Sequence, residues 1–198
     1  VGIEAFGYEN PECDAEQILM LSRLWDSLGL KNVTLELNSI GDPEDRLNYR
    51  EKLITYFEKN KNILDDDALR RLYENPLRIL DSKNKDMQQM LNSAPKLIDH
   101  LSDEAKKHFD SLCNTLKEHN LEFTINTRLV RGLDYYNRTV FEWVSNDLGS
   151  QGTIAGGGRY DYLVEKIGGN PTSACGFAIG VERIILLLEG LLVIELFF

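Results

Sequence analysis

Cysteine, histidine and long apolar runs are scarce in this sequence. Its 198 residues include an odd number of cysteines, at Cys13, Cys113 and Cys175. Such wide spacing suggests neither a disulfide framework nor a paired metal motif, so we expect a reducing, cytoplasmic setting. The most apolar run, residues 184–198, is interrupted by Glu189 and Glu195, and we therefore expect no membrane span.

The three histidines fall in one polar region that reads as helical. They are His100, His108 and His119, and no carboxylate or cysteine stands at a metal-ligand spacing from them. We expect them to be ordinary surface or core residues, which argues against zinc chemistry and against a Ser-His-Asp mechanism. The sequence identifies no dedicated metal site.

The charge distribution is more informative than the net charge of −10, which argues against nucleic-acid binding by bulk electrostatics. Residues 42–122 hold 14 of the 22 basic side chains and 17 acidic ones, so a local basic face has room there. After residue 122 arginine largely replaces lysine, at Arg128, Arg131, Arg138, Arg159 and Arg183. Because a guanidinium group binds carboxylates and phosphates through two hydrogen bonds, this bias hints at a site for such anions.

The apolar periodicity predicts an α+β fold. Residues 14–28 repeat apolar side chains at helical spacing and stop at Gly29, and residues 33–38 alternate as a half-buried strand. Residues 43–120 lack strand alternation and predict several short helices, with Asp65 and Ser102 as N-caps and Pro76 and Pro95 as interruptions. Strand patterns return over 121–130, 138–144 and 149–169. A helical insertion therefore divides an antiparallel sheet.

Glycines crowd two of the later segments, at Gly156, Gly157, Gly158, Gly176 and Gly180. Glycine within strands marks either a tight hairpin or close approach of a ligand to the backbone. Neither segment matches the Walker A or Rossmann spacing, so a nucleotide would need a different fold. The run "GFAIGVER" delivers Arg183 at the start of a helix, where its guanidinium can stack on a purine and reach phosphate oxygens.

Four segments together resemble the histidyl-tRNA synthetase family of class II aminoacyl-tRNA synthetases. "GFAIGVER" resembles motif 3, while "RGLDYY" and "GGGRYDYL" resemble the two histidine-specific signatures. "GIEAFG" resembles the strand that follows motif 2. They span residues 2–183 in the family's order, so the resemblance implies an antiparallel class II sheet flanked by helices.

The resemblance implies roles for residues in these segments. It makes Arg131 the catalytic residue that stabilises charge as the histidine carboxylate attacks the α-phosphorus of ATP, with Asp134 orienting it. It assigns histidine binding to Glu4, Tyr135, Tyr136 and Tyr160. Of these, Glu4 and Tyr136 would read the imidazole, which offers one donor and one acceptor when neutral.

The resemblance also implies the ATP-binding residues and the partners. Arg183 would stack on adenine, with Glu182 in support and Gly180 in the ATP site. The substrates would be ATP with Mg²⁺, L-histidine and tRNA(His), in a protein that forms a homodimer at full length. Residues 1–41 and 121–198 would be parts of the catalytic domain, and residues 42–120 an insertion domain over the tRNA acceptor stem.

The sequence departs from the family pattern in two respects. Motif 1, motif 2 and an anticodon-binding domain are absent from these residues, so we expect a piece of a longer enzyme that does not activate histidine by itself. Tyr162 replaces a glycine of the second signature, and we expect it to crowd the hairpin.

Two other functions stay open at this point. Non-aminoacylating paralogues serve as regulatory subunits or tRNA-sensing modules, although these usually lose the "RGLDYY" run. The other is a generic α+β binding module with glycine-rich hairpins.

Overall fold

The computed structural model describes residues 1–131 and 135–197, with the backbone alone at 150–151 and 191–197. The helices are α1 (Pro11–Ser27), α2 (Pro43–Lys59), α3 (Asp66–Arg71), α4 (Gln88–Asn92), α5 (Asp103–Glu118), α6 (Leu163–Lys166) and α7 (Val181–Phe197). The strands are β1 (Gly2–Phe6), β2 (Val33–Ser39), β3 (Thr124–Ile125), β4 (Asn137–Ser145), β5 (Thr153–Arg159) and β6 (Ala174–Ile179). No helix in these ranges is long and apolar enough to cross a membrane.

The strands form one sheet in the order β1-β6-β5-β4-β2-β3. Its neighbours are antiparallel except β2 and β3, which are parallel. The predicted α+β class is therefore confirmed. The predicted strand over residues 121–130 is too long, because Asn126 accepts a hydrogen bond from the backbone N–H of Leu129 at 2.9 Å and turns the chain there.

One face of the sheet packs against α1 and α5. Strand alternation points Leu35 and Leu37 of β2 to this face, where they join Phe141 and Trp143 of β4 in the core. The contributions of the two helices to the same core are Ala15, Ile18, Leu21, Trp25, Phe109, Leu112 and Leu116. The opposite face of the sheet carries Glu36 and Glu142, and it is open beside them along β5, β6 and β1.

Residues 43–101 form a second core with the ends of the strands. Tyr49, Leu53 and Phe57 of α2 are fully buried there, and α3 and α4 pack around them. The same core includes Leu129, Tyr136, Val140, Tyr160 and Ala174. The helical segment therefore supports residues to which the family resemblance assigns histidine binding.

The helices of this segment correct part of the prediction. Asp65 and Ser102 cap α3 and α5 as predicted, accepting from the N–H groups of Ala68 and Ala105. However, α2 and α5 have 17 and 16 residues and are not short. Because α5 packs on α1 and the sheet, the packing favours an insertion that ends before Asp103, and the domain bounds stay a prediction.

A buried ionic network joins α1, α5, β4 and β5. Asp14 accepts from His108 Nε2 at 2.8 Å, from Thr139 Oγ1 at 2.6 Å and from Arg159 Nη2 at 2.6 Å. Arg159 is fully buried and also donates to Asp161 at 3.0 Å. Arg159 is thus a structural cation of the core and does not belong to the anion site that the arginine bias suggested.

Candidate active site on the open sheet face

A row of five residues, three of them small, crosses the open face of the sheet. Directly opposite one another on neighbouring strands lie Glu36, Glu142, Gly156, Ala178 and Gly2. The last three have no side chain beyond Cβ, so β5, β6 and β1 form a shallow floor on which a ligand can lie against the backbone. The two glutamates form its acidic border.

Arg131 lies over this floor. Its Nη1 is 2.6 Å from Glu142 Oε1, and its guanidinium carbon is 5.4 Å from the centre of the Tyr136 ring. A Cβ atom at Gly156 would come within 2.7 Å of Arg131 Nη1, so glycine leaves the room that the guanidinium occupies. Among the described residues its buried Nε has no hydrogen-bond partner. Asp134, predicted to orient Arg131, lies outside the described residues.

The predicted histidine-binding residues come together beside Arg131. Tyr160 donates its hydroxyl hydrogen to Glu4 Oε2. The ring centres of Tyr135, Tyr136 and Tyr160 lie 4.6 to 6.0 Å apart. Tyr136 and Tyr160 are buried, whereas Tyr135 is half-buried. The structure thus gathers three aromatic rings and one carboxylate from three distant segments.

Burial keeps the phenols of Tyr135 and Tyr160 neutral. It raises the pKa of Tyr135 to about 12 and raises that of Tyr160 further, where the hydrogen bond to the Glu4 carboxylate adds to the effect. A neutral phenol is a hydrogen-bond donor, so Tyr160 holds Glu4 in place across the full range near neutral pH.

Glycine at position 176 makes the place for Glu4. Glu4 on β1 pairs with Gly176 on β6, and a Cβ atom at residue 176 would overlap the Glu4 carboxylate. Only glycine therefore lets this carboxylate fold back over the sheet towards Tyr160.

The predicted ATP-binding residues lie where β6 leads into α7. The Gly180 carbonyl accepts from the backbone N–H groups of Arg183 and Ile184, at 3.1 and 3.2 Å, which starts the helix. Arg183 Nη1 donates to the carbonyl of Thr153, and Glu182 is exposed on the first turn. A cavity of about 320 Å³ contains Gly180 and Arg183 in its lining together with Arg131. The structure therefore brings the two arginines to one cavity.

Two residues of the site were not singled out from the sequence. Glu142 accepts from Arg131 and, through its second oxygen, from Thr153 Oγ1 at 2.8 Å. Strand alternation in "RTVFEWV" already puts Glu142 on the face opposite Phe141 and Trp143, which was the available signal. The contacts of Thr153 depend on strand pairing and carry no local signal.

We expected Tyr162 to crowd the hairpin, and the structure shows that it does not. Its side chain is 41% exposed, and its hydroxyl lies 3.4 Å from Asp42 Oδ1. The backbone of Tyr162 has ordinary right-handed angles, so a side chain is accommodated without strain.

Comparison with known proteins shows the family of this chain. The family model described as histidyl-tRNA synthetase matches residues 1–184. A histidine–tRNA ligase from Methylobacillus flagellatus is 62% identical over 190 residues, which cover 96% of this chain and 45% of that protein. The chain thus spans less than half the length of this curated relative.

Solved structures give the same result. Apo histidyl-tRNA synthetase from S. aureus superposes with a TM-score of 0.74 at 36% identity, covering 95% of this chain and 46% of that one. A Bacillus halodurans protein described as an ATP phosphoribosyltransferase regulatory subunit/histidyl-tRNA synthetase shares the fold, with a TM-score of 0.55 at 23% identity over 95% of this chain and 52% of that one. The six-stranded sheet is of the class II aminoacyl-tRNA synthetase type, and the chain belongs to the histidyl-tRNA synthetase family.

Proposed function

We propose that this chain supplies the histidine pocket and part of the ATP site of a histidine–tRNA ligase. That enzyme would join L-histidine to AMP at the expense of ATP and then transfer histidine to tRNA(His). The observation that carries the proposal is the Glu4–Tyr160 pair beside the Arg131–Glu142 pair on one open sheet face. The complete reaction is proposed for a protein in which this chain is joined to motifs 1 and 2.

Histidine recognition follows from hydrogen-bond matching. A neutral imidazole has one N–H donor and one ring nitrogen that accepts. We assign the N–H to the carboxylate of Glu4 and the accepting nitrogen to the hydroxyl of Tyr136, with Tyr135 and Tyr160 enclosing the ring. An amino acid without both groups would leave buried polar atoms unsatisfied, which is the strongest basis for rejecting it.

Arg131 would stabilise the activation step. A histidine carboxylate oxygen attacks the α-phosphorus of ATP, the bond from that phosphorus to the bridging oxygen of pyrophosphate breaks, and negative charge grows on the phosphoryl oxygens. Glu142 holds the guanidinium in place before substrate arrives, so little reorganisation is needed during the step.

Arg183, Gly180 and Glu182 would hold ATP at the start of α7. The shallow floor that β5, β6 and β1 form fits a flat purine, and Arg183 reaches the same cavity as Arg131. Among the described residues no group of three His, Cys, Asp or Glu side chains is placed to hold a metal ion. Mg²⁺ would therefore arrive with the triphosphate, as is usual for this ion.

We also propose contact between the insertion and tRNA(His). A cavity of about 370 Å³ lies between α2 and residues 74–78, and its lining includes Arg46, Arg50, Arg78 and Arg131. Several guanidinium groups on one groove suit a phosphate backbone that leads to the active site. Assembly as a homodimer and a cytoplasmic location complete the proposal.

A regulatory or tRNA-sensing paralogue is the second candidate. It would need the fold but no charge stabilisation at the α-phosphate. The retained Arg131, its Glu142 partner and the complete tyrosine cluster favour the ligase.

Histidine-dependent exchange of pyrophosphate into ATP tests the proposal. The protein that joins this chain to motifs 1 and 2 should exchange pyrophosphate with histidine and not with glutamine or phenylalanine. Exchange that ignores the amino acid, or no exchange at all, would favour the paralogue.

A further inference from the structure

Two cysteines that are 162 positions apart in the sequence meet in the fold. Cys13 lies in the first turn of α1 and Cys175 in β6, and the Cys175 thiol donates to the Cys13 sulfur across 3.4 Å. The wide spacing in the sequence gave no sign of this pair, because the contact exists only once α1 packs on the sheet. The third cysteine, Cys113, is buried on α5.

The two sulfur atoms differ in access and in surroundings. Cys13 is half-buried, whereas Cys175 is 2% exposed. Gln17 donates from Nε2 to the Cys175 sulfur at 3.3 Å and to its carbonyl at 2.9 Å, which fixes the thiol against α1. Burial raises the pKa of the Cys175 thiol. An oxidant therefore reaches the Cys13 sulfur first. The Cys175 sulfur is already in contact with Cys13 and can attack the oxidised Cys13.

We propose that Cys13 and Cys175 form a reversible disulfide when hydrogen peroxide oxidises Cys13. An S–S bond of about 2.05 Å requires the sulfur atoms to approach by about 1.4 Å from their present separation. A side-chain rotation at the half-buried Cys13, near the start of its helix, would supply part of this approach, and a small shift of β6 towards α1 would supply the rest.

The chemistry balances in two steps. The Cys13 sulfur attacks one peroxide oxygen, the O–O bond breaks, and water leaves with a sulfenic acid on Cys13. The Cys175 sulfur then attacks the Cys13 sulfur, the S–O bond breaks, and the hydroxide that leaves takes the Cys175 proton as water. Two thiols lose two electrons in total, and one peroxide is reduced to two waters.

The disulfide would act on the histidine pocket through β6. Cys175 immediately precedes Gly176, and its backbone pairs with Ala5 of β1 and with Arg159 of β5. Gly176 is the residue over which the Glu4 carboxylate folds. A shift of β6 towards α1 on one face of the sheet would therefore displace the Glu4 carboxylate from its place over Gly176 on the other face. This consequence rests on the proposed function, whereas the disulfide itself does not.

Mass spectrometry of the full chain tests the disulfide. A Cys113→Ala variant is treated with hydrogen peroxide, and a Cys13→Ser/Cys113→Ala variant serves as the matched control. We expect the first to lose the mass of two hydrogen atoms, to yield a peptide pair joined through residues 13 and 175, and to regain both hydrogens with dithiothreitol. Untagged wild-type chain should give the same peptide pair, which guards against an effect of the Cys113 substitution. Added oxygen alone, or a link between two chains, would overturn the proposal.

Histidine titration of the reduced and oxidised Cys113→Ala chain tests the coupling. We expect oxidation to weaken histidine binding about tenfold and dithiothreitol to restore it. Equal affinity in both states would refute the coupling to the pocket. A reduced chain that binds no histidine would instead contradict the proposed function, while the mass result would still decide the disulfide.

Discussion

At the scale of single residues, the site depends on charges that are fixed before any ligand binds. Arg131 and Glu142 are about one-fifth exposed, and they lie 2.6 Å apart over a floor of glycine. In this partly dry setting a paired guanidinium keeps one geometry. We propose that the remaining donors of Arg131 bind an anion that lies on the sheet.

Arg131→Ala should abolish most of the activation chemistry. In a protein that joins this chain to motifs 1 and 2, we expect pyrophosphate exchange to fall about a hundredfold or more, which corresponds to roughly 3 kcal/mol of transition-state stabilisation. Arg23→Ala is the matched control, because Arg23 is exposed on α1 behind the sheet. A near-normal exchange rate for Arg131→Ala would sink the catalytic assignment.

Gly176→Ala should remove histidine binding by displacing one side chain. The new Cβ would overlap the Glu4 carboxylate, so we expect histidine affinity to fall at least tenfold in calorimetry, about 1.4 kcal/mol. Gly190→Ala adds a methyl group in open space on α7 and should leave binding unchanged. Unchanged affinity in Gly176→Ala would mean that Glu4 does not read histidine.

At the scale of elements, the local apolar patterns of the sequence predicted those helices and strands that are determined by neighbouring residues in the chain. The predicted helix over 14–28 and strand over 33–38 match α1 and β2 within a few residues, and Gly29 ends α1 with a positive φ of 72°. Glu142 and Arg159 were not predicted in their roles, because their partners come from other elements. The parallel β2–β3 pair likewise depends on how the insertion returns the chain.

The groove that Arg46, Arg50 and Arg78 line should contribute to tRNA binding and much less to histidine activation. We expect Arg46→Gln/Arg50→Gln/Arg78→Gln to weaken tRNA(His) binding. The slope of log affinity against log salt concentration should become shallower by about 0.9 for each phosphate that the variant no longer neutralises. Pyrophosphate exchange should change little.

A control triple tests whether the groove or the bulk charge acts. Arg70→Gln/Lys83→Gln/Lys85→Gln changes the net charge equally at exposed positions of the same segment. Equal losses of RNA affinity in both triples would show diffuse attraction and no groove. Removing the whole segment is a poorer test, since Tyr136 and Tyr160 share its core.

At the scale of the whole molecule, one buried carboxylate links helices and sheet. Asp14 pairs with His108 and Arg159, and both side chains are almost wholly buried. Asp14→Asn breaks the buried ion pair with Arg159, and breaking a buried pair typically costs about 3 to 5 kcal/mol. Urea unfolding should show this loss, and Asp67→Asn, in an exposed pair with Arg71, should show little. Equal stability of the two variants would contradict the structural role.

The same carboxylate predicts the direction of acid denaturation. Burial opposes its charge, but the hydrogen bond from His108 and the charge of Arg159 outweigh burial and lower the pKa of Asp14. Its contribution is therefore complete above the unfolded pKa of about 3.9 and is lost as pH falls through the lower folded pKa. We expect wild-type unfolding free energy to drop more steeply below about pH 4 than that of Asp14→Asn. Parallel pH profiles would refute this linkage.

Calorimetric titration of this chain with L-histidine tests the central claim most directly, that the open sheet face reads histidine through Glu4, which Tyr160 holds in place. The chain should bind histidine, Glu4→Ala and Tyr160→Phe should each weaken binding at least about tenfold, and Glu16→Ala, at an exposed position of α1, should bind as the wild type does. Histidine binding that is the same in all four proteins, or none in the wild type, would contradict the account.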